Sequence, residues 1–217
     1  ECFECYHLKL MGVMYIIPLN TQNRIFFNNC NTLTICDSYL EIFLHSSGVA
    51  HISEEIGENI GLSTTERYSL RELSLYHDIG KTKIPKSILN KREELTHTEW
   101  QTMKKHAIYS QRIYLNSKKQ SNENVENSLI LRHHHENWDG SGYPDGISGK
   151  NIPILSRIIR IADVFDAITR PRIYRTFKIK NAMDIMEKMA EKELDPYIFK
   201  KSFNILNKLL KHKIEKN

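Results

Sequence analysis

Apolar residues three, four or seven apart run through this chain from Thr34 onward, punctuated by capping residues, and that pattern commits it to helix after helix. Ile42, Val49, Ile52, Ile56 and Ile60 predict a first helix from Thr34 that Gly61 terminates. Ser63-x-x-Glu66 is a capping box opening a second helix through Leu70, Leu73 and Tyr76 to Gly80. Pro85 to Leu89 reads as a short helical turn, and Thr96-x-x-Glu99 caps a helix through Trp100, Met103, His106 and Ile113. After a polar loop over 116–124, a helix over 125–137 runs into Asp139-Gly-Ser-Gly-Tyr-Pro-Asp-Gly, which neither helix nor strand can carry through. An apolar helix from Pro153 to about Thr169, another over 181–193 and a last one opened by Asp195-Pro196 complete an all-α reading.

Residues 1–36 stand apart. They have no helical period, an apolar patch at Met11 to Leu19 and an Asn-rich stretch, so a short irregular or partly extended appendage is expected ahead of a domain over 37–217. The chain starts with Glu, which suggests that the appendage is the end of an upstream domain. The longest apolar stretch, Leu8 to Leu19, is interrupted by Lys9, Gly12 and Pro18 and is too short to span a bilayer. With no secretory signal, a cytoplasmic, reducing setting is expected. There Cys2, Cys5, Cys30 and Cys36 read as free thiols rather than a zinc knuckle, whose second spacing would be unusually wide. At 40% hydrophobic and 26% charged the chain is neither disordered nor collagen-like. The formal charge of +5 lies mostly in a Lys-rich C-terminal end with interspersed acids, which reads as a solvated face and not as a DNA-binding surface.

His77-Asp78, His106, His134-His135 and Asp163 all fall within or at the ends of these helices, and imidazole with carboxylate suits zinc, manganese or iron. A carboxylate has two oxygens, so Asp78 is able to hold a pair of cations at the separation that two-metal phosphoryl chemistry uses. Glu41 and His45, at i and i+4, share a helix face and are placed to add ligands. His7, His51, His97 and His212 have no such company, and His133 reads as a surface residue. Lys81, one helical turn after His77, is in reach of a phosphate oxygen.

The strings His77-Asp-Ile-Gly-Lys81, Ile84-Pro-x-x-Ile-Leu89, His134-His-Glu-x-Trp-Asp-Gly-Ser-Gly-Tyr-Pro144, Ile152-Pro and Ile161-Ala-Asp-Val-Phe-Asp-Ala167 resemble, in order and spacing, those of the HD-GYP family of metal phosphohydrolases. The resemblance covers about residues 41–203. It implies a helical bundle of the HD type with two or three divalent ions, usually iron or manganese. It also implies hydrolysis of the bacterial messenger cyclic di-GMP to linear pGpG and on to GMP, by attack of a metal-bridging hydroxide.

Residue by residue, the family's metal ligands fall on His45, His77, Asp78, His106, His134, His135 and Asp163, with Glu41 matching the extra carboxylate of three-metal members. Asp78 and Lys81 are the expected catalytic residues, Lys81, Tyr143, Arg172 and Arg175 match positions that in related enzymes lie against substrate, the basic ones near its phosphates, and the Gly-rich loop sets Tyr143 to stack on guanine. Diguanylate cyclase domains or an upstream sensory domain are the implied partners. Gly48 stands where the family commonly has Arg, Ser110 where it has Gly, and Pro171 and Ile173 where an acid and Pro are usual. Two alternatives stay open: a hydrolase of another cyclic dinucleotide or nucleotide, and a non-catalytic signalling module that keeps the fold.

Overall fold

The structure, a computed structural model, describes residues 6–10, 13–17, 33–170, 181–190 and 192–215, with side chains from Leu40 onward. Two compact units divide the chain, Glu1–Asp37 and Ser38–Asn217. In the first, β1 (Tyr6–Leu10) and β2 (Val13–Ile17) form an antiparallel hairpin that pairs Tyr6 with Ile17 and Leu10 with Val13. The partly extended character expected of the appendage takes this form. Cys2, Cys5 and Cys30 lie outside the described residues, as does the side chain of Cys36.

The second unit is helical. α1 (Leu33–Ile60) enters it, followed by α2 (Thr64–Tyr76), α3 (Lys86–Leu89), α4 (His97–Lys104), α5 (His106–Ser117), α6 (Asn122–Arg132), α7 (Ile154–Thr169), α8 (Ala182–Met189) and α9 (Pro196–Glu215). Both capping boxes form: Ser63 Oγ accepts from the Glu66 N–H and Thr96 Oγ1 from the Glu99 N–H, while each Glu carboxylate accepts from its cap's N–H.

α7 is the central element. Ile158, Ile159, Ile161, Ala162 and Phe165 on it are fully buried against Val49, Ile56, Leu70, Leu73, Leu131, Met186 and Leu206 of the surrounding helices. Each of the larger side chains, Ile, Leu, Val, Met or Phe, contributes about 1.5–3 kcal/mol on burial. Asp195, buried ahead of α9, accepts from the N–H groups of Tyr197 and Ile198 and pairs with Arg157 of α7 at 2.6 Å, which ties the last helix to the central one.

The helix expected over 181–193 ends early, at Met189, and three further differences from the sequence expectation lie at the site. The second helix stops at Tyr76 rather than Gly80, and the chain tightens into a 3₁₀ turn over Ile79–Lys83. The helix begun at Thr96 breaks at Lys105, so His106 opens a new helix. The helix expected over 125–137 starts earlier, with Ser121 Oγ capping the Asn124 N–H, and ends at Arg132, which leaves His133–His135 in a turn. Among the described residues no helix is long and apolar enough to cross a membrane.

Candidate metal centre

Each break delivers a candidate ligand. The end of α2 presents His77 and Asp78, the start of α5 presents His106, and the turn after α6 presents His134 and His135. His45 comes from α1 and Asp163 from α7. Ligand atoms of Asp78, His106, His134 and His135 lie within 4.8 Å of one another, and so do those of His45, His77 and Asp78, so Asp78 belongs to both groups. Its Oδ1 lies 3.3 Å from His106 Nε2, and its Oδ2 lies 3.5 Å from His77 Nε2 and 3.7 Å from His45 Nε2. Asp163 closes the ring, 3.0 Å from His45 Nε2 and 3.9 Å from His135 Nδ1.

The proton positions follow from the partners. His77, His106 and His134 each donate Nδ1–H to the carbonyl three residues earlier, of Ser74 (2.7 Å), Met103 (2.8 Å) and Leu131 (2.6 Å). A carbonyl only accepts, so Nδ1 holds the proton and each neutral ring turns a bare Nε2 lone pair inward. The Nε2 atoms of His106 and His134 then face each other at 3.3 Å, lone pair to lone pair. His77 Nε2 and Asp78 Oδ1 are buried with no hydrogen-bond partner.

Unpartnered buried acceptors cost about 1–3 kcal/mol each, and a shared cation removes that cost. The donor set of imidazole nitrogen and carboxylate oxygen fits a divalent transition metal.

Burial pushes the pKa of His77, His134 and His135 down, and that of His106 down to about 4, so these rings stay neutral and ready to ligate. Asp78 and Asp163 are held well below the carboxylate range. In each, burial alone would raise the pKa, but it is outweighed by Lys81 and the histidines around Asp78, and by the His45 hydrogen bond at Asp163. His45 differs: burial lowers it, yet carboxylates on both sides, Asp163 and Asp166, raise it to about 9.

Asp166, on α7, was not singled out from the sequence. It accepts from His45 Nδ1 (2.8 Å), from Arg170 Nε (2.8 Å) and from Lys213 Nζ of α9 (3.3 Å), while Arg170 also donates to the Leu44 carbonyl (2.6 Å). Its three-residue spacing from Asp163 places both on one helix face, and that was the available signal. The departure at Gly48 now has a physical reason. A Cβ there would stand 2.5 Å from Asp166 Oδ1 and 2.9 Å from an Arg170 nitrogen, so Arg170 fills the space that Gly48 leaves.

Ser110 explains itself in the same way. Its hydroxyl donates to the His77 carbonyl (2.6 Å) and accepts the Gly80 N–H (2.8 Å), which clamps the 3₁₀ turn onto α5. Gly80 packs so closely there that a Cβ would run into the His106 carbonyl.

Lys81 lies in the 3₁₀ turn rather than one α-helical turn after His77, and its Nζ contacts Asp78 Oδ2 at 2.5 Å. Tyr143 lies over the cluster's rim, its ring 4.9 Å from that of His135. The loop that carries it is pinned by the Tyr143 N–H donating to the His135 carbonyl (3.1 Å) and by Glu136. Glu136 Oε1 accepts from the N–H groups of Asp145 (2.7 Å) and Gly146 (3.2 Å). Gly142 is essential to this fit, because a Cβ would lie 2.5 Å from the Glu136 Cα. His133 faces the same loop and pairs with Asp145 (2.9 Å), whose two oxygens Arg132 also engages.

His135 is oriented by side chains, with Arg160 3.5 Å from its Nδ1; Arg160 is held in turn by Asn137 and Glu193. Glu41 is exposed one turn before His45 and stands in neither ligand group. Arg172 and Arg175 lie outside the described residues.

Comparison with known proteins gives the family and the fold. The HD domain family matches residues 24–198. A 3'3'-cGAMP-specific phosphodiesterase of Vibrio cholerae is 36% identical over 75% of this chain and 35% of its own length. A cyclic di-GMP phosphodiesterase of Thermotoga maritima is 35% identical over 73% of this chain and 43% of its own. The chain therefore spans less than half the length of either relative. A solved structure of an HDG"Y"P protein from Bdellovibrio bacteriovorus shares the fold, with a TM-score of 0.62 at 19% identity over 78% of this chain and 52% of that one. From its motifs, its matched residues and its fold, the chain belongs to the HD domain family, in the HD-GYP branch.

Proposed function

We propose that this domain is a metal-dependent phosphodiesterase that opens a cyclic dinucleotide, cyclic di-GMP foremost, to linear pGpG and then to GMP. The observation that carries this reading is the double membership of Asp78, one oxygen toward His106 and the other toward His45 and His77. His45, His77, Asp78, His106, His134, His135 and Asp163 would hold two ions, iron or manganese, and Glu41 is the ligand that a third would need. Bound there, such ions neutralise phosphate charge and acidify water at neutral pH.

The chain's own residues supply the rest. Burial lowers the pKa of His77, His106, His134 and His135, which keeps their rings neutral and available as ligands. Lys81, on the rim beside Asp78, is the cation placed to offset charge gained by the non-bridging phosphate oxygens, and Arg172 and Arg175 are proposed to add to it. The braced loop sets Tyr143 against the substrate. This reading places the domain in the cytoplasm, with a diguanylate cyclase domain or an upstream sensory domain as its partner.

A second reading, cleavage of 3'3'-cGAMP, is supported by the relative that carries that specificity in its name. Product analysis separates the two. The chain, loaded anaerobically with iron or manganese, is incubated with cyclic di-GMP, 3'3'-cGAMP and a nucleoside polyphosphate. Conversion of cyclic di-GMP to pGpG and GMP is expected. A clear preference for cGAMP favours the second reading, and turnover of neither dinucleotide refutes both.

A further inference from the structure

α4 and the Gly-rich loop are separated by nearly forty residues in sequence, yet they meet beside the metal cluster. Trp100 and Lys104 stand at i and i+4 on α4 and share one face of it. That face is turned to Tyr143. The Trp100 and Tyr143 rings are 6.2 Å apart at 80°, and Lys104 Nζ lies 5.7 Å from the Tyr143 centroid. Tyr143 also lies 4.9 Å from the His135 ring and 6.3 Å from that of His106. A continuous aromatic wall therefore leads from two metal-cluster imidazoles out to Trp100, which is 45% exposed.

A single exposed tryptophan is ordinary on a protein surface. This one is different in its company. Two rings near perpendicular form a corner, so a flat heterocycle stacked on one ring meets the other with its edge, the two favoured aromatic geometries at once. The adjoining ammonium group of Lys104 has no ion-pair partner among the described residues. A corner for a planar base, a cation beside it and a phosphodiester site one ring away together match one nucleotide unit.

From this we infer that Trp100, Lys104 and Tyr143 form a nucleotide subsite. The base next to the scissile phosphate stacks in the Trp100–Tyr143 corner, and Lys104 faces the second phosphate of the ring. The inference rests on the reading of the cluster as a cyclic dinucleotide hydrolase. It adds α4 to the substrate-binding elements and makes Trp100 a determinant of base preference.

The test uses the metal-loaded full chain with two readouts, steady-state kinetics on cyclic di-GMP and tryptophan emission in the first moments after rapid mixing. The chain has two tryptophans, Trp100 and Trp138, so a Trp100→Phe variant identifies which one reports. Loss of one stacked base predicts that Trp100→Ala raises KM about tenfold or more, with a smaller change in kcat and unchanged metal content. Trp100→Phe should recover most of that loss. Lys104→Ala should raise KM by about tenfold, the loss of one charge-assisted contact. Cyclic di-GMP should quench the emission of wild type but not of Trp100→Phe.

Turnover with wild-type KM in both alanine variants overturns the subsite and leaves the hydrolase reading intact. Quenching at Trp100 without turnover supports the subsite and overturns the hydrolase reading. Neither turnover nor quenching overturns both.

Discussion

The five imidazoles of the cluster are aimed by two different means, and the contrast separates what this fold fixes from what its side chains tune. His77, His106 and His134 are aimed by main-chain carbonyls three residues upstream, so their orientation follows from where their helices end. His45 and His135 are aimed by charged side chains, Asp166 with its cations Arg170 and Lys213, and Arg160. The first set is as rigid as the backbone. The second depends on side chains that substitution can remove one at a time, and only there does a candidate ligand carry a strongly raised pKa.

The largest effect should come from the residue common to both ligand groups. Asp78→Ala is expected to lower kcat at least about 100-fold, a barrier change of about 2.7 kcal/mol. Retention of more than about a hundredth of wild-type activity would remove the bridging role from Asp78.

Next comes the contrast itself. Asp166→Ala should weaken metal affinity by about 10- to 100-fold, the usual cost of losing a ligand's outer partner, measured by competition with a chromophoric chelator. Ser74→Ala should leave that affinity within about twofold, because the Ser74 group that aims His77 is its carbonyl. Equal losses in both variants would erase the distinction.

Titration gives a third handle, with the metal removed by chelation. His106 has its pKa lowered by burial to about 4, and His77, His134 and His135 are shifted the same way. As the pH falls below about 6.5 the unfolded chain therefore takes up protons that the folded one refuses, and stability drops toward about pH 4. His45 has the opposite sign. Burial lowers its pKa, Asp163 and Asp166 raise it to about 9, and its stabilisation is complete below the unfolded value and lost as pH climbs through about 9. Thermal melts should show both limbs in wild type, and Asp166→Ala should flatten only the alkaline one. An unchanged alkaline limb would contradict the role given to Asp166.

An effect on stability, with the smallest consequence for metal affinity, is expected at Ser110. Removing its hydroxyl leaves the buried Gly80 N–H without an acceptor, so Ser110→Ala should cost about 1–3 kcal/mol in a denaturant melt.

The sequence made one side of this contrast far more legible than the other. Cap signatures such as Ser63-x-x-Glu66 and Thr96-x-x-Glu99 are local chemistry, and both form as read. The candidate ligands were named from motif strings, and the structure brings seven of the eight together in the two groups or beside them, with Glu41 left outside. The breaks at Tyr76, Lys105 and Arg132 were not legible, because the apolar period runs on past each of them while the ladder does not.

Nor was Asp166 legible as the partner of His45, 121 residues away. Such a pairing leaves no periodic trace, and only packing of α1 on α7 brings it about. Arg170 and Gly48 are the clearest case. Each reads as unremarkable alone, and they make sense only as a cation and the space it occupies.

The central claim is that the two ligand groups joined at Asp78 hold two ions in one chain. Elemental analysis after anaerobic loading with iron or manganese and removal of free metal tests it most directly. The account predicts at least two ions per chain in wild type and a clear loss in Asp78→Ala, with the variant still folded. At most one tightly held ion per wild-type chain, or full occupancy in Asp78→Ala, would contradict it.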